Sequence, residues 1–229
     1  MTDTPEDFRG FMTAGLEFLR DLPNHDKEWF DANRDTYQAE VADPAKAFVE
    51  PVAEALRAEV SAGIEGVPRV NGSISPINND VRFSADQTPY KNHLLFKWWE
   101  GPDKKLAPTL WVRLSSTEVG FATGIMLAPT SLPRWRELVA AEEPGADLAY
   151  AIDALRSATR ADVVGADYKL VPKPYPADHP RAELLRHKWL QIRWIARTPE
   201  DVSSPRFVEW CVGRLAAAGD VHRWLVRNL

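Results

Sequence analysis

The sequence predicts an α+β fold in which helical N- and C-terminal regions pack on an antiparallel or mixed sheet. Segments with helical periodicity occupy both ends of the chain, and segments with two-residue alternation lie in the middle. The order is helices, strands, helices, a strand and helices, which is not the regular alternation of a parallel α/β fold. With 229 residues, 45% of them hydrophobic, the chain can bury a sizeable core. We expect one domain over residues 1–229.

Three helices are predicted near the N-terminus. Residues 12–22 carry apolar side chains at helical spacing, and Pro23 ends that pattern. Residues 26–41 form a second helix with Asp26 as its N-cap, and Asn33 on its apolar stripe is expected to brace the polar loop at residues 76–91. Pro44 suits the first turn of a third helix. That helix repeats apolar residues every four positions, at Phe48, Val52, Leu56 and Val60.

The middle of the chain predicts strands. Residues 109–127 read as two strands around a Ser-Ser-Thr-Glu turn, and 93–100 and 189–197 read as further strands. Trp111 and Arg113 alternate with apolar neighbours, so one face should be buried and the other aromatic or polar. Residues 131–141, 146–159 and 181–188 read as helices around a proline-rich connection, and one or two more helices close the chain.

Composition limits the classes of function. The formal net charge of −5 argues against non-specific binding of nucleic acid, and we expect no nucleic-acid partner. Cys211 is the single cysteine, so an intramolecular disulfide is impossible, and its apolar helical surroundings indicate a buried thiol. No apolar run is long enough to span a membrane and no signal pattern precedes the first helix. We therefore expect a cytoplasmic protein without a membrane partner.

Several chemistries lack their sequence motifs. There is no cysteine cluster or HExxH, no GxGxxG or GxxxxGK[ST], and no GxSxG. Asp80 and Asp86, six residues apart, are a weak signal for Mg²⁺. We expect no cofactor and no metal.

One polar stretch, "SPINNDVRFSADQTPYKNH" at residues 75–93, favours a site. Cationic side chains there could bind an anion that an acid orients or deprotonates. Alternatively, the acids could satisfy backbone N–H groups of a turn. Because structural turns rarely need so many polar types, we predict a ligand-binding cleft. Its predicted residues are Asp80, Arg82, Asp86, Tyr90, Lys91 and, from a strand-like run further along, Lys169.

Two structural expectations follow. The loop around Arg82 and the segment containing Lys169 should be neighbours in space. Arg82, in a strand-like "DVRF", should make an ion pair with Asp80 or Asp86, because an unpaired charge in a dry pocket is costly. Replacing Arg82 with alanine should then destabilise the fold as well as any binding.

Three blocks of sequence resemble the bacterial domain-of-unknown-function family 2461. Residues 76–91, "PINNDVRFSADQTPYK", resemble its motif RxxRDxRFSxDKxPYK. We call these residues the motif loop. "FLRDLPNHDKEWFDANRDTY" and "LVPKPYPADHPRAELLRHKWL" resemble two further family blocks in the same order. The resemblance covers nearly the whole chain and implies one α+β domain, but no activity.

The motif loop departs from the family pattern at three cations. Pro76 and Asn79 stand where the pattern has arginines, and Gln87 stands where it has lysine. Asparagine cannot reproduce the planar fork with which arginine holds carboxylate or phosphate. Any anion held by those cations elsewhere in the family would be held differently here.

Three functional hypotheses remain open on the sequence. The first is a small-molecule or anion-binding domain with a polar cleft, which could be an enzyme. The second is a degenerate, non-catalytic binding or scaffold member of the family. The third is a metal-dependent phosphoesterase or nuclease, which the acidic balance and sparse carboxylates disfavour.

Overall fold

The N-terminal region is helical. The computed structural model describes residues 7–82 and 87–229. Asp26 caps α2 as predicted, because its carboxylate accepts a hydrogen bond of 2.9 Å from the backbone N–H of Trp29. The four helices are α1 (Thr13–Asp21), α2 (Lys27–Ala32), α3 (Arg34–Tyr37) and α4 (Asp43–Glu59).

The described strands form an antiparallel sheet in the order β1-β2-β3-β5-β4. Its β1, β2 and β3 follow one another along the chain, whereas β5 inserts between β3 and the short β4. The strands are β1 (Leu94–Trp99), β2 (Thr109–Leu114), β3 (Glu118–Met126), β4 (Asp162–Val164) and β5 (Trp189–Arg197).

Helices complete the chain between and after these strands. A helical pair separates β3 from β4, a short helix precedes β5, and two helices end the chain. The architecture confirms the predicted α+β class. These helices are α5 (Leu132–Ala140), α6 (Glu142–Thr159), α7 (Ala182–Leu185), α8 (Phe207–Ala216) and α9 (Gly219–Asn228).

Local structure differs from the sequence prediction in three segments. The predicted helix over 26–41 breaks at Asn33, whose side-chain amide donates to the carbonyl of Trp29 at 2.9 Å, and a π-helical turn follows at Gln38–Ala42. Strand β4 was not predicted, because three residues carry too little alternation to detect. Lys169, placed in a strand-like run by its sequence, lies in a bend instead.

One face of the sheet is covered by helices. Helix α4 packs against β1, and α8 and α9 pack against β3. The side chains beneath them are apolar and almost fully buried, and the indole N–H of Trp98 donates to the carbonyl of Val49 at 3.0 Å. Cys211 is buried there, as predicted. Within the described ranges no helix is long and apolar enough to cross a membrane.

Candidate binding cleft on the open face of the sheet

The motif loop is a hairpin whose stem continues the edge of the sheet beside β1. Asn79 donates from its backbone N–H to the carbonyl of Pro89 and from its side-chain amide to the carbonyl of Thr88, each at 2.9 Å. Lys91 N–H donates to the carbonyl of Ile77 at 2.9 Å. Asn79 therefore closes this hairpin with two hydrogen bonds.

Arg82 and Asp80 form the ion pair expected from the sequence. The guanidinium donates from Nε and Nη2 to the two carboxylate oxygens at 2.8 and 2.7 Å. The pairing lowers the pKa of Asp80 and raises that of Arg82. The side chains are 76% and 62% exposed, however, so the pair lies in solvent and not in a dry pocket. Residues 80–82 do not form the predicted strand, and Arg82 lies in a turn.

Lys91 and Tyr90 both make structural contacts within the protein. The Lys91 ammonium donates to the carbonyls of Pro76 and Asn78 at 2.5 and 2.6 Å, across the stem of the hairpin. Burial lowers the pKa of Lys91 and raises that of Tyr90. Tyr90 is 3% exposed and its ring stacks on Phe30 of α2 at 4.9 Å between centroids. Phe30 therefore joins α2 to the motif loop, a role predicted for Asn33.

His93 begins a polar corner between the motif loop and the sheet. Its Nδ1 lies 3.0 Å from the side-chain oxygen of Asn92, and Arg113 donates to that same oxygen at 3.5 Å. Burial, followed by the charges of Arg113 and Lys91, lowers the pKa of His93 to about 4. His93 is therefore neutral at physiological pH.

The strand register places Lys169 far from the motif loop. The loop extends beyond the Leu94 end of β1, whereas Tyr168 hydrogen-bonds Arg186 just before the Trp189 end of β5. These are opposite ends of strands three places apart in the sheet. The topology thus does not bring Arg82 and Lys169 into one cleft. Asp86 lies outside the described residues, and the ligand-binding role assigned to the whole set stays a prediction.

The second face of the sheet lies open beside the motif loop. Cross-strand pairing aligns its side chains in rows, because residues directly opposite on neighbouring strands point to the same side. One row carries two cations, a tryptophan, an alanine and an aspartate. It runs Lys97, Trp111, Ala122, Arg193, Asp162. The next row runs Leu95, Arg113, Gly120, Ile195.

A trough forms over β3 because its outward side chains are small. Gly120 and Ala122 leave space between the long side chains of β2 and those of β5, whose backbones are two strand spacings apart, about 10 Å. A Cβ built on Gly120 would have its nearest neighbour, the Cβ of Arg113, at 3.5 Å. The resulting cleft has a volume of about 700 Å³ and extends to Arg160 at the end of α6.

The trough is lined by three arginines and two carboxylates. Arg113 pairs with Glu118 at 2.9 Å. Arg193 and Arg160 are exposed and make no ion pair or side-chain hydrogen bond with any residue in the described ranges. Asp162 lies opposite Arg193 in the register but outside ion-pair distance. Two guanidinium groups, each a planar fork of donors, therefore remain available at one end of the trough.

A smaller pocket of about 330 Å³ continues the trough along the same face. The two cavities share Trp111 and Gln191. Three lysines line this smaller pocket, which we call the lysine pocket. Burial lowers the pKa of Lys97, and the charges of the other two lysines lower it further. They are Lys97, Lys104 and Lys105.

Only part of the open sheet face was predictable from the sequence. The alternation of Trp111 and Arg113 indicated an aromatic or polar surface, as observed. The signal that it missed is the small-residue alternation Gly120, Ala122, Gly124 within a strand pattern, since a glycine in a strand often marks close approach of a ligand or another backbone. The contribution of Arg193 depends on β5 pairing with β3, which local sequence does not reveal.

No metal site accompanies the cleft in the part of the chain that the structure describes, where no group of three His, Cys, Asp or Glu side chains could hold an ion.

Among known proteins, a family model described as "Conserved hypothetical protein (DUF2461)" matches residues 14–224. No curated protein matches the chain.

Proposed function

We propose that this chain, which belongs to the DUF2461 family, binds a small anionic ligand in the trough over Gly120 and Ala122. The observation that carries the proposal is the pair of arginines, Arg160 and Arg193, that edge a cleft of about 700 Å³ without an ion pair to a described residue. A ligand carboxylate or phosphate would supply the charge-assisted hydrogen bonds that these guanidinium groups lack.

The shape of the cleft favours a ligand with a flat ring beside its anionic group. Trp111 is partly exposed and forms one wall of the trough, while the floor at Ala122 offers only a methyl group. A ring lying on that floor would contact the indole, and such aromatic pairs contribute about 0.5–1.5 kcal/mol beyond the area they bury.

Carboxylates on the rim add selectivity. Glu118 and Asp162 line the cleft together with the arginines. They would repel a second anionic group placed beside them, and they would accept hydrogen bonds from a hydroxyl or amine of the ligand. The cleft therefore suits one compact anionic group at the arginine end.

Calorimetric titration with phenyl phosphate tests the proposal, because this probe combines a ring with an oxyanion. The wild-type protein should show saturable binding, and Arg193→Gln should weaken it roughly tenfold, the loss expected for one charge-assisted contact. Arg193 is exposed and its substitution should leave the melting temperature unchanged.

Arg134→Gln provides the matched control. Arg134 is an exposed arginine of α5, away from the cleft, whose nearest carboxylate is Glu137 at 3.7 Å. Its loss removes the same charge and should leave the affinity for phenyl phosphate unaltered. Absence of binding up to millimolar probe, or equal losses in both variants, would overturn the proposal.

A further inference from the structure

We infer that the ligand of this face is an elongated dianion, with one anionic group at the arginines of the trough and a second at the lysines of the adjoining pocket. The inference rests on the proposed function and specifies the ligand class. Its anionic groups are carboxylates or phosphates joined by an apolar or aromatic spacer that crosses Trp111.

The two cavities form one path across the sheet. Both are lined by Trp111 and Gln191, so a ligand leaving the trough enters the lysine pocket without crossing a covering element. Trp111 lies between Lys97 and Ala122 in the same cross-strand row. The middle of the path is therefore aromatic and methyl surface, and its two ends are cationic.

The lysine end carries uncompensated positive charge. None of the three lysines makes an ion pair with a described residue, and none of the described residues that line this pocket is acidic. The ammonium of Lys104 donates to the backbone carbonyl of Asn71, which holds it beside the pocket without neutralising it. Burial lowers the pKa of Lys97 and the charges of Lys104 and Lys105 lower it further, and a bound anion would offset that repulsion.

Sheet geometry sets the length of the ligand. Lys97 and Arg193 belong to one row on strands three spacings apart, so their Cα atoms are separated by about 14 Å. Both side chains are long and can reach inward over the row. The two anionic groups should therefore be separated by roughly 6–14 Å, which a single phosphate or a short diacid cannot provide.

The test compares linear dicarboxylates from succinate to dodecanedioate with their monomethyl esters of equal length, by calorimetric titration. At the lengths that reach both ends, the diacid should bind roughly tenfold tighter than its monoester, since it adds one charge-assisted contact. Combined substitution Lys97→Gln, Lys104→Gln and Lys105→Gln should abolish that advantage, so that the diacid binds no tighter than its monoester. Lys46→Gln, an exposed lysine of α4, is the charge-matched control.

The outcomes separate this inference from the proposal on which it rests. A monoester that binds through Arg193, with no gain from the second carboxylate at any length, overturns the elongated dianion alone. A gain that survives loss of the three lysines also overturns it. If neither the monoesters nor phenyl phosphate bind, the proposed function fails as well.

Discussion

The motif loop and the open sheet face use their polar residues in opposite ways. In the loop, Lys91 donates to two carbonyls of the same hairpin and Arg82 pairs with Asp80 two residues away. On the sheet face, Arg193 and Arg160 come from segments far apart in sequence and pair with no described residue. The polar residues of the motif loop thus hydrogen-bond within their own hairpin, whereas the proposed site lies where the fold brings together arginines that pair with no described residue.

The largest predicted effect distinguishes two glycines of β3, namely Gly124, which is packed against β5, and Gly120, which lines the trough. Gly124→Ala should destabilise the protein by about 3 kcal/mol or more, because the added Cβ would lie 1.9 Å from the carbonyl oxygen of Leu190 and backbone must move. Denaturant unfolding measures the loss. Gly120→Ala is the control, since a Cβ there meets nothing closer than 3.5 Å; equal losses in both would contradict the described register.

Lys91→Met tests whether the motif loop is a structural element. Removing two hydrogen bonds to carbonyls of the hairpin should cost about 1–2 kcal/mol of unfolding free energy. Affinity for phenyl phosphate should not change. Lys46→Met removes an exposed lysine as a control. A Lys91→Met protein that keeps its stability but loses binding would show that the ligand binds at the motif loop.

The lowered pKa of His93, which lies between the motif loop and the sheet face, predicts that the stability of the protein depends on pH. Its folded-state pKa of about 4 lies below the unfolded value of 6.5, so the unfolded chain binds the proton first. Stability from this group is present above pH 6.5 and is lost as the pH falls toward 4. Because His93 is partly exposed, solvent screening limits the loss to about 1–2 kcal/mol. The difference between wild type and His93→Gln, followed by denaturant unfolding, isolates it.

The architecture was readable from the sequence because its patterns are local. Alternation in residues 109–127 and helical stripes around Phe48 and Cys211 indicate the elements there and the faces that they bury. Boundaries were wrong where one residue overrides the pattern, as at Asn33, whose amide donates to the carbonyl of Trp29 where α2 ends, in the middle of the predicted helix.

The proposed site was less predictable because it is formed by strand pairing. The alternation around Trp111 indicated an aromatic outer face. Ala122 and Arg193 lie beside Trp111 only because of the registers of β2 with β3 and of β3 with β5. The ion pair of Arg82 with Asp80 was predictable because two residues separate them. Its exposure was not, since burial depends on what other segments cover.

Arg82→Ala is expected to have the smallest effect. The sequence alone predicted a destabilised variant, but an ion pair this exposed contributes little to stability in water. The melting temperature and the affinity for phenyl phosphate should both stay within measurement error of wild type. A clear drop in either would show that the loop depends on Arg82 through contacts beyond Asp80.

The central claim is that the trough, and not the motif loop, holds the ligand, and filling the trough tests it most directly. Gly120→Leu places a side chain in space that is open above β3, while Gly213→Leu makes the same change on α8, where an added Cβ meets nothing within 4 Å. Titrating both with phenyl phosphate, with melting temperatures measured in parallel, gives the answer. The account predicts that Gly120→Leu remains folded and loses binding while Gly213→Leu binds as wild type does. Undiminished binding by a folded Gly120→Leu protein would contradict it.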